Sequence, residues 1–218
     1  MLESVLFDLD GTLLDREKSL EKFIELQYQN LVAHQYNTDF NQYKNRFIEL
    51  DNNGYTWKDT VYESLIEEFG LKRLTTESLL QDYIHNFSKC IVPMDNLYQT
   101  LDFLSEKNIK LGIITNGKTD FQRKNIKALK IEKYFKVILI SEEEKLKKPQ
   151  AEIFLKALKL LEVSANETIF VGDHLTNDVL GANNVGMLGI LFDNKCKSIN
   201  MKNRIKDLKE IADYIITD

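Results

Sequence analysis

The feature that most constrains this chain is an alternation, after Pro93, of short apolar runs with stretches of helical spacing. Segments 111–114, 137–140, 168–171 and 187–192 are apolar runs of four to six residues, the length of a strand and too short for a helix. Helical spacing lies between them, around 97–104, around 121–129, and in a segment carrying Ile153, Phe154, Ala157, Leu158 and Leu161. That last helix is expected to open at Pro149, a residue suited to a first turn. Ser4-Val5-Leu6-Phe7 adds one more run at the N-terminus, and a terminal helix carrying Ile205, Leu208, Ile211 and Ile215 is expected after the last strand. A strand that is apolar throughout is buried on both faces, and strands joined by helices run parallel. The fold class implied is α/β, a doubly wound parallel sheet, which binds ligands beyond the carboxyl ends of its strands.

Residues 16–91 break the alternation. Leu20, Phe23, Ile24 and Leu31 form one helical stripe, and Phe40, Tyr43, Phe47 and Leu50 another. Trp57, Val61, Leu65 and Phe69 form a third, with Thr56 and Asp59 at capping-box spacing before it, and Leu80, Tyr83, Ile84 and Phe87 a fourth. The 218 residues suffice for one α/β domain and a smaller companion. The expected division is a core of 1–15 and 92–218 with an all-helical domain at 16–91. Most of Phe40, Tyr43, Phe47, Tyr55, Trp57 and Tyr62 are expected in that domain's core.

Charge excludes some partners. Lys and Arg number 29 and Asp and Glu 34, a net charge of −5, so neither a nucleic-acid nor an anionic membrane surface is expected. Cys90 and Cys196 make no disulfide framework and show no metal spacing. The N-terminus lacks the pattern of a secretory signal, and no apolar run approaches the ~20 residues that cross a bilayer. The expectation is a cytoplasmic protein, monomer or homodimer, acting on a small molecule.

Polar clusters stand where the apolar runs end. Asp8 and Asp10 follow the first, Thr115-Asn116-Gly117 the second, and Gly172-Asp173 the run 168–171, with Asp178 five residues beyond Asp173. Carboxylates gathered on one rim repel each other unless a cation or proton offsets them. Hard oxygen ligands suit Mg²⁺, which takes one or two carboxylates, water and a substrate's phosphate. A phosphate ester is therefore the expected substrate, gripped by the Thr115 hydroxyl and by N–H groups around Asn116. Lys148, next to a helix start, would balance its charge. The charge run 142–148 otherwise reads as a solvated loop, and His174 as a loop residue outside the site.

Asp8-Leu9-Asp10-Gly11-Thr12-Leu13, Thr115-Asn116-Gly117, Lys148-Pro149 and Gly172-Asp173-His174-Leu175-Thr176-Asn177-Asp178 resemble, in order and separation, the four motifs of the haloacid dehalogenase-like superfamily. The resemblance implies a Rossmann-like core, a helical cap over residues 16–91, and a Mg²⁺-dependent phosphatase acting on a small phosphorylated metabolite. It makes Asp8 the nucleophile that forms an aspartyl-phosphate and Asp10 the general acid and base. Asp8, the backbone carbonyl of Asp10 and Asp173 become the metal ligands. Thr115, Asn116 and Lys148 bind the phosphate, and Asp178 stands behind them as an orienting group. A phosphomutase would share this chemistry, a metal-independent dehalogenase would lack a carboxylate at position 10, and a non-catalytic relative would have lost a motif residue.

Overall fold

The computed structural model describes residues 2–195 and 202–215, so Cys196 lies outside the described residues. The chain divides into two units, Met1–Asp15 with Val92–Asp218, and Arg16–Ile91.

The first unit is built on six parallel strands, β1 (Ser4–Phe7), β2 (Lys110–Thr115), β3 (Val137–Ile140), β4 (Thr168–Gly172), β5 (Leu188–Phe192) and β6 (Arg204–Ile205), in the order β3-β2-β1-β4-β5-β6. This is an α/β, Rossmann-like sheet. Strand β1 lies between β2 and β4, and that position explains its composition: Val5, Leu6 and Phe7 are completely buried. Phe7 is in register with Ile113 on one side and Val171 on the other. The residues just past these positions, Asp8, Thr115 and Gly172, therefore emerge on one rim, where the order of strands along the chain reverses.

One helix shows how sequence fixes the packing. In α8 (Ala151–Leu161), Ile153, Phe154, Ala157, Leu158 and Leu161 recur at helical spacing, and all are buried with Leu6, Ile114, Leu139 and Phe170. Phe154 meets Phe170 edge to face with ring centres 5.2 Å apart. Each such side chain contributes about 1.5–3 kcal/mol when fully buried. The helix stops at Glu162, left-handed at φ 55°, where Lys110 Nζ donates to the carbonyls of Leu161 and Glu162 at 2.8 and 3.1 Å. Pro149 does not sit in the first turn as expected: it precedes Gln150, the residue that caps the helix.

Two further expectations for this unit fail, the second only in part. Ile205 belongs to β6, not to a terminal helix, whose regular part is only Ile211–Ile215 after a 3-10 turn, Leu208–Glu210. Ile205 N–H and C=O groups pair along the sheet edge, with Asp193 N donating to Ile205 O at 2.8 Å. The acidic run is solvated as expected, with Glu142, Glu143, Lys145 and Lys147 exposed, but Ser141–Glu144 is a short helix, α7, and not a loop. Its three glutamates each meet a cation: Glu142 takes Lys118, just before the helix Thr119–Ala128, Glu143 takes Arg123 within it and Glu144 takes Lys156 of α8.

The second unit holds four helices, α1 (Arg16–Gln27), α2 (Phe40–Asp51), α3 (Lys58–Glu68) and α4 (Thr76–Asn86). Its centre is aromatic, with Phe23 against Tyr83 and Phe47 against Tyr62 in edge contacts at 5.2 and 5.6 Å. Tyr43, Phe47 and Tyr62 are buried, whereas Tyr55 and Trp57 are exposed. Trp57 is 70% exposed because it is the residue before α3 and not part of its apolar face. Thr56 and Asp59 form no capping box there; Asp59 instead accepts from Thr60 N. The reciprocal cap lies at α4, between Thr75 and Ser78, and it turns Leu79 rather than Leu80 into the core. Buried Asp51 pairs with both Arg16 and Lys58. Cys90 is a buried free thiol. Among the described residues no helix is long and apolar enough to cross a membrane.

The remaining helices, α5 (Leu97–Glu106), α6 (Thr119–Ala128), α9 (Gly181–Asn183) and α10 (Ile211–Ile215), belong to the first unit, and a π-helical turn, Leu175–Leu180, leads into α9.

Candidate active site

The chain leaves β1 at Asp8, whose N–H still donates to Val171 O at 2.9 Å. The next turn closes on itself: the N–H groups of Leu13 and Leu14 both reach Leu9 O, at 3.0 and 2.9 Å. Leu9, Leu13 and Leu14 are fully buried and anchor the turn, while Asp10 remains partly exposed. Gly11 has φ 84°, and a Cβ there would fall 2.4 Å from Asp173 Oδ2. Only a residue without a side chain lets the loop after β1 lie against the loop after β4.

Beyond β4 the backbone turns sharply so that Asp178, in the π-helical turn, folds back onto Gly172. His174 N donates to Asp178 Oδ2 at 2.9 Å. The His174 ring accepts from Thr176 N and Asn177 N through Nδ1, at 3.1 and 3.0 Å. Through Nδ1 the ring serves here as a hydrogen-bond acceptor. His174 therefore caps the turn that carries Asp178 and is more than a passive loop residue. A Cβ on Gly172 would lie 2.4 Å from the Asp178 carboxylate. Gly172→Ala is accordingly expected to displace Asp178 and to cost about 1–3 kcal/mol of stability, the range for overpacking, as a thermal melt would show.

Lys148 links the two loops. Its Nζ is 2.5 Å from Asp8 Oδ1 and 2.7 Å from Asp178 Oδ1, with all three side chains buried. The contact to Asp178 is an ion pair whose angle lies outside hydrogen-bond geometry. The Asn116 side chain holds the Lys148 backbone from both sides, accepting from its N–H at 2.9 Å and donating to its carbonyl at 3.0 Å. Burial alone would push the Lys148 ammonium down, but Asp178 and Asp8 outweigh it and hold it above the usual lysine range. Burial pushes the Asp8 carboxyl well up; Lys148 opposes this, while Asp178 and Asp173 add to it. The two shifts differ in origin: neighbouring carboxylates raise Lys148 against its burial, whereas burial itself raises Asp8 against Lys148.

Asp8, Asp173 and Asp178 each offer an oxygen, and these oxygens lie within 4.8 Å of one another. Three carboxylates, Asp8 and Asp178 buried and Asp173 exposed, against one ammonium leave an excess of negative charge, and a donor set made only of carboxylate oxygens fits a hard divalent cation. The residues present thus fit Mg²⁺.

The sequence profile of haloacid dehalogenase-like hydrolases matches residues 5–192. This chain belongs to that family. It is 31% identical over 223 aligned positions to a glyceraldehyde 3-phosphate phosphatase of Pyrococcus furiosus, covering 100% of this chain and 90% of that one. It is also 31% identical over 210 positions to a ribulose-1,5-bisphosphate 5-phosphatase of Halopiger xanaduensis, covering 88% and 85%. Among solved structures, the hydrolase YfnB of Bacillus subtilis bound to magnesium superposes with a TM-score of 0.78 at 24% identity, covering 100% of this chain and 99% of that one. At that identity the likeness is one of fold.

In this haloacid dehalogenase-like hydrolase, the structure brings Asp8, Lys148, Asp173 and Asp178 together and sets Asp10 and Thr115 side by side. Both Asp10 Oδ2 and Thr115 Oγ1 accept from Gln122 Nε2, at 2.6 and 2.9 Å. The Asn116 side chain is committed to Lys148, which leaves its backbone N–H as the group that the expected phosphate contact concerns. Two N–H groups near it are also taken: Gly117 N donates to Ser141 Oγ at 3.0 Å and Thr119 N to Glu142 Oε2 at 2.8 Å. Helix α7 therefore holds the loop after β2. Lys118 and Thr119 keep the Glu142 carboxyl below its usual range. Gln122 and Asn125 were not singled out from sequence. Their signal was available, since Gln122, Asn125, Ile126 and Leu129 form one helical stripe and all four are buried.

Proposed function

We propose that this hydrolase moves the phosphoryl group of a small phosphorylated metabolite onto Asp8 and then onto water. The observation that carries the reading is the buried Lys148 ammonium held between Asp8 and Asp178 inside a cluster of three carboxylates. A site of that charge pattern suits a bound phosphate with a divalent ion. The names of the Pyrococcus and Halopiger relatives, both phosphatases, support it.

In the first step an Asp8 carboxylate oxygen attacks phosphorus, the ester P–O bond breaks, and Asp10 gives its proton to the departing oxygen. In the second, water attacks the aspartyl-phosphate, its proton passes to Asp10, and the bond from phosphorus to Asp8 breaks. Lys148 and the Thr115 hydroxyl offset and orient the phosphoryl oxygens. Mg²⁺, held by Asp8, Asp173 and the Asp10 carbonyl with Asp178 behind them, would supply the remaining positive charge.

A panel of phosphomonoesters assayed with Mg²⁺ and with chelator tests the reading; turnover of none, or turnover indifferent to chelator, refutes it. The ion has a second signature. Saturating Mg²⁺ at about a hundredfold its dissociation constant adds about 2.7 kcal/mol, a rise in melting temperature of roughly 5–10 °C for a chain of this size. Asp173→Asn is expected to remove most of that rise.

A further inference from the structure

Gln122 is absent from the reaction scheme, yet it touches two groups on which the scheme depends. It stands in α6, where it is 2% exposed. One nitrogen, Nε2, donates to Asp10 Oδ2 at 2.6 Å and to Thr115 Oγ1 at 2.9 Å, using both of its protons. Its Oε1 accepts from Asn125 Nδ2 at 3.2 Å. The reverse orientation of the amide would set Oε1 2.6 Å from a carboxylate oxygen, acceptor against acceptor, so the hydrogen bonds fix which way it points. Room for it comes from Gly117, where a Cβ would lie 2.9 Å from Gln122 Cγ.

A buried amide of this kind is costly unless bonded, and an apolar residue would fill the same stripe of α6. Asp10 does not need it for solvation, being itself partly exposed. What the amide adds is direction. We propose that Gln122 is a positioning residue that decides which oxygen of Asp10 handles the proton. With Oδ2 occupied by an N–H donor, Oδ1 carries the proton to the departing ester oxygen and receives the proton of the attacking water in the second step. No proton is gained or lost over the cycle. The second N–H, by filling a lone pair of Thr115 Oγ1, leaves that hydroxyl's own hydrogen to be given elsewhere, as a donor to a phosphoryl oxygen. The inference rests on the acid–base reading of Asp10 given above.

The test uses two esters with the full-length protein in Mg²⁺. p-Nitrophenyl phosphate has a leaving group that departs without a proton; glycerol phosphate has an alkoxide that needs one. The first step is read from release of the leaving group in a single turnover. Gln122→Met keeps length and shape and removes both donors, and Gln122→Leu is a second apolar replacement. Both are expected to slow the alkyl ester about 10²-fold, the lower end of what a positioned acid supplies. The aryl ester should slow less than about fivefold, through the Thr115 donor alone, with any rise in KM the same for both esters because both present the same phosphoryl group. Because the readout is a ratio of two rates on one preparation, a fraction of unfolded protein cancels. Equal slowing of both esters, or no slowing, overturns the inference. Asp10→Asn is run beside them. If it shows the split and the Gln122 variants do not, only the role of Gln122 falls. If Asp10→Asn shows no split, the acid–base reading falls and takes this inference with it.

Discussion

Asp8→Asn is expected to abolish turnover of an aryl phosphate while making the metal-free protein more stable. The loss should be on the order of 10⁴-fold or more, the scale on which removal of a covalent nucleophile acts in other hydrolases. An amide oxygen is a far weaker nucleophile toward phosphorus than a carboxylate, and the phosphorylated intermediate cannot form. The stability change follows from the surroundings. Burial and the charges of Asp178 and Asp173 outweigh Lys148 and hold the Asp8 carboxyl above its usual range, so its ionised form is a liability to the fold. The neutral amide removes that liability, and Lys148 keeps Asp178 as a partner. The sign with pH is fixed. A carboxyl with a raised folded pKa binds its proton more tightly when folded, so its contribution is fully present below the unfolded value, about 3.9, and is lost as pH climbs through the folded value. The advantage of Asp8→Asn should therefore be clear at neutral pH, a rise of at least about 2 °C for each kcal/mol recovered, and should shrink as the buffer is made acidic. Calorimetry across pH without metal measures it. A melting temperature below that of the unsubstituted protein at neutral pH would show that Asp8 stabilises the fold, and a residual rate within tenfold would remove it as the nucleophile.

The parts of this protein that could be read from sequence are those in which a single local rule decides the outcome. Runs such as Val5-Leu6-Phe7 and Ile169-Phe170-Val171 are apolar throughout because both faces of a central parallel strand are covered, so their assignment needed no tertiary knowledge. The polar breaks after them, at Asp8, Thr115 and Asp173, were legible for the same reason: charge at the end of a buried run has to serve a purpose. What was not legible depended on partners distant in the chain. Glu142, Glu143 and Glu144 keep contact with solvent, and their pairing with Lys118, Arg123 and Lys156 depends on segments distant in the chain. Ile205 has helical neighbours in spacing, but an open edge of β5 gives its backbone a better use. Trp57 fits an apolar stripe by spacing, yet the helix starts one residue later and leaves it outside. The second task of Asn116, holding the Lys148 backbone with its side-chain amide, needs the approach of a residue 32 positions on. Gln122 shares its helical stripe with Asn125, Ile126 and Leu129, and a buried amide in such a stripe asks for an acceptor.

Lys148→Met should be the most destabilising of the single substitutions considered, for a reason that also bears on catalysis. The ammonium sits 2.5 Å from Asp8 and 2.7 Å from Asp178, and all three side chains are out of solvent. Removing one member of a buried ion pair leaves the others uncompensated, at a cost of about 3–5 kcal/mol. For a chain of this size that is a fall of roughly 6–20 °C in melting temperature. The part of the loss that belongs to ionised Asp8 should be largest at neutral pH and small in acid, where that carboxyl, raised by burial, is protonated. Added Mg²⁺ should restore part of it, since a divalent cation among Asp8, Asp173 and Asp178 replaces the missing charge. Turnover should not return with it: Mg²⁺ cannot supply the N–H donor that Lys148 directs at Asp8 or the one that the proposed reaction assigns to a phosphoryl oxygen, and loss of one such donor costs about 10²–10³-fold. The double substitution Lys148→Met with Asp178→Asn separates the two effects. It removes the second buried charge, so stability should recover relative to Lys148→Met alone by more than the sum of the single changes allows, while activity stays low. If the double variant is no more stable than Lys148→Met, then Asp178 is not the partner whose charge Lys148 offsets, and the ammonium's place in the fold is owed to Asp8 alone.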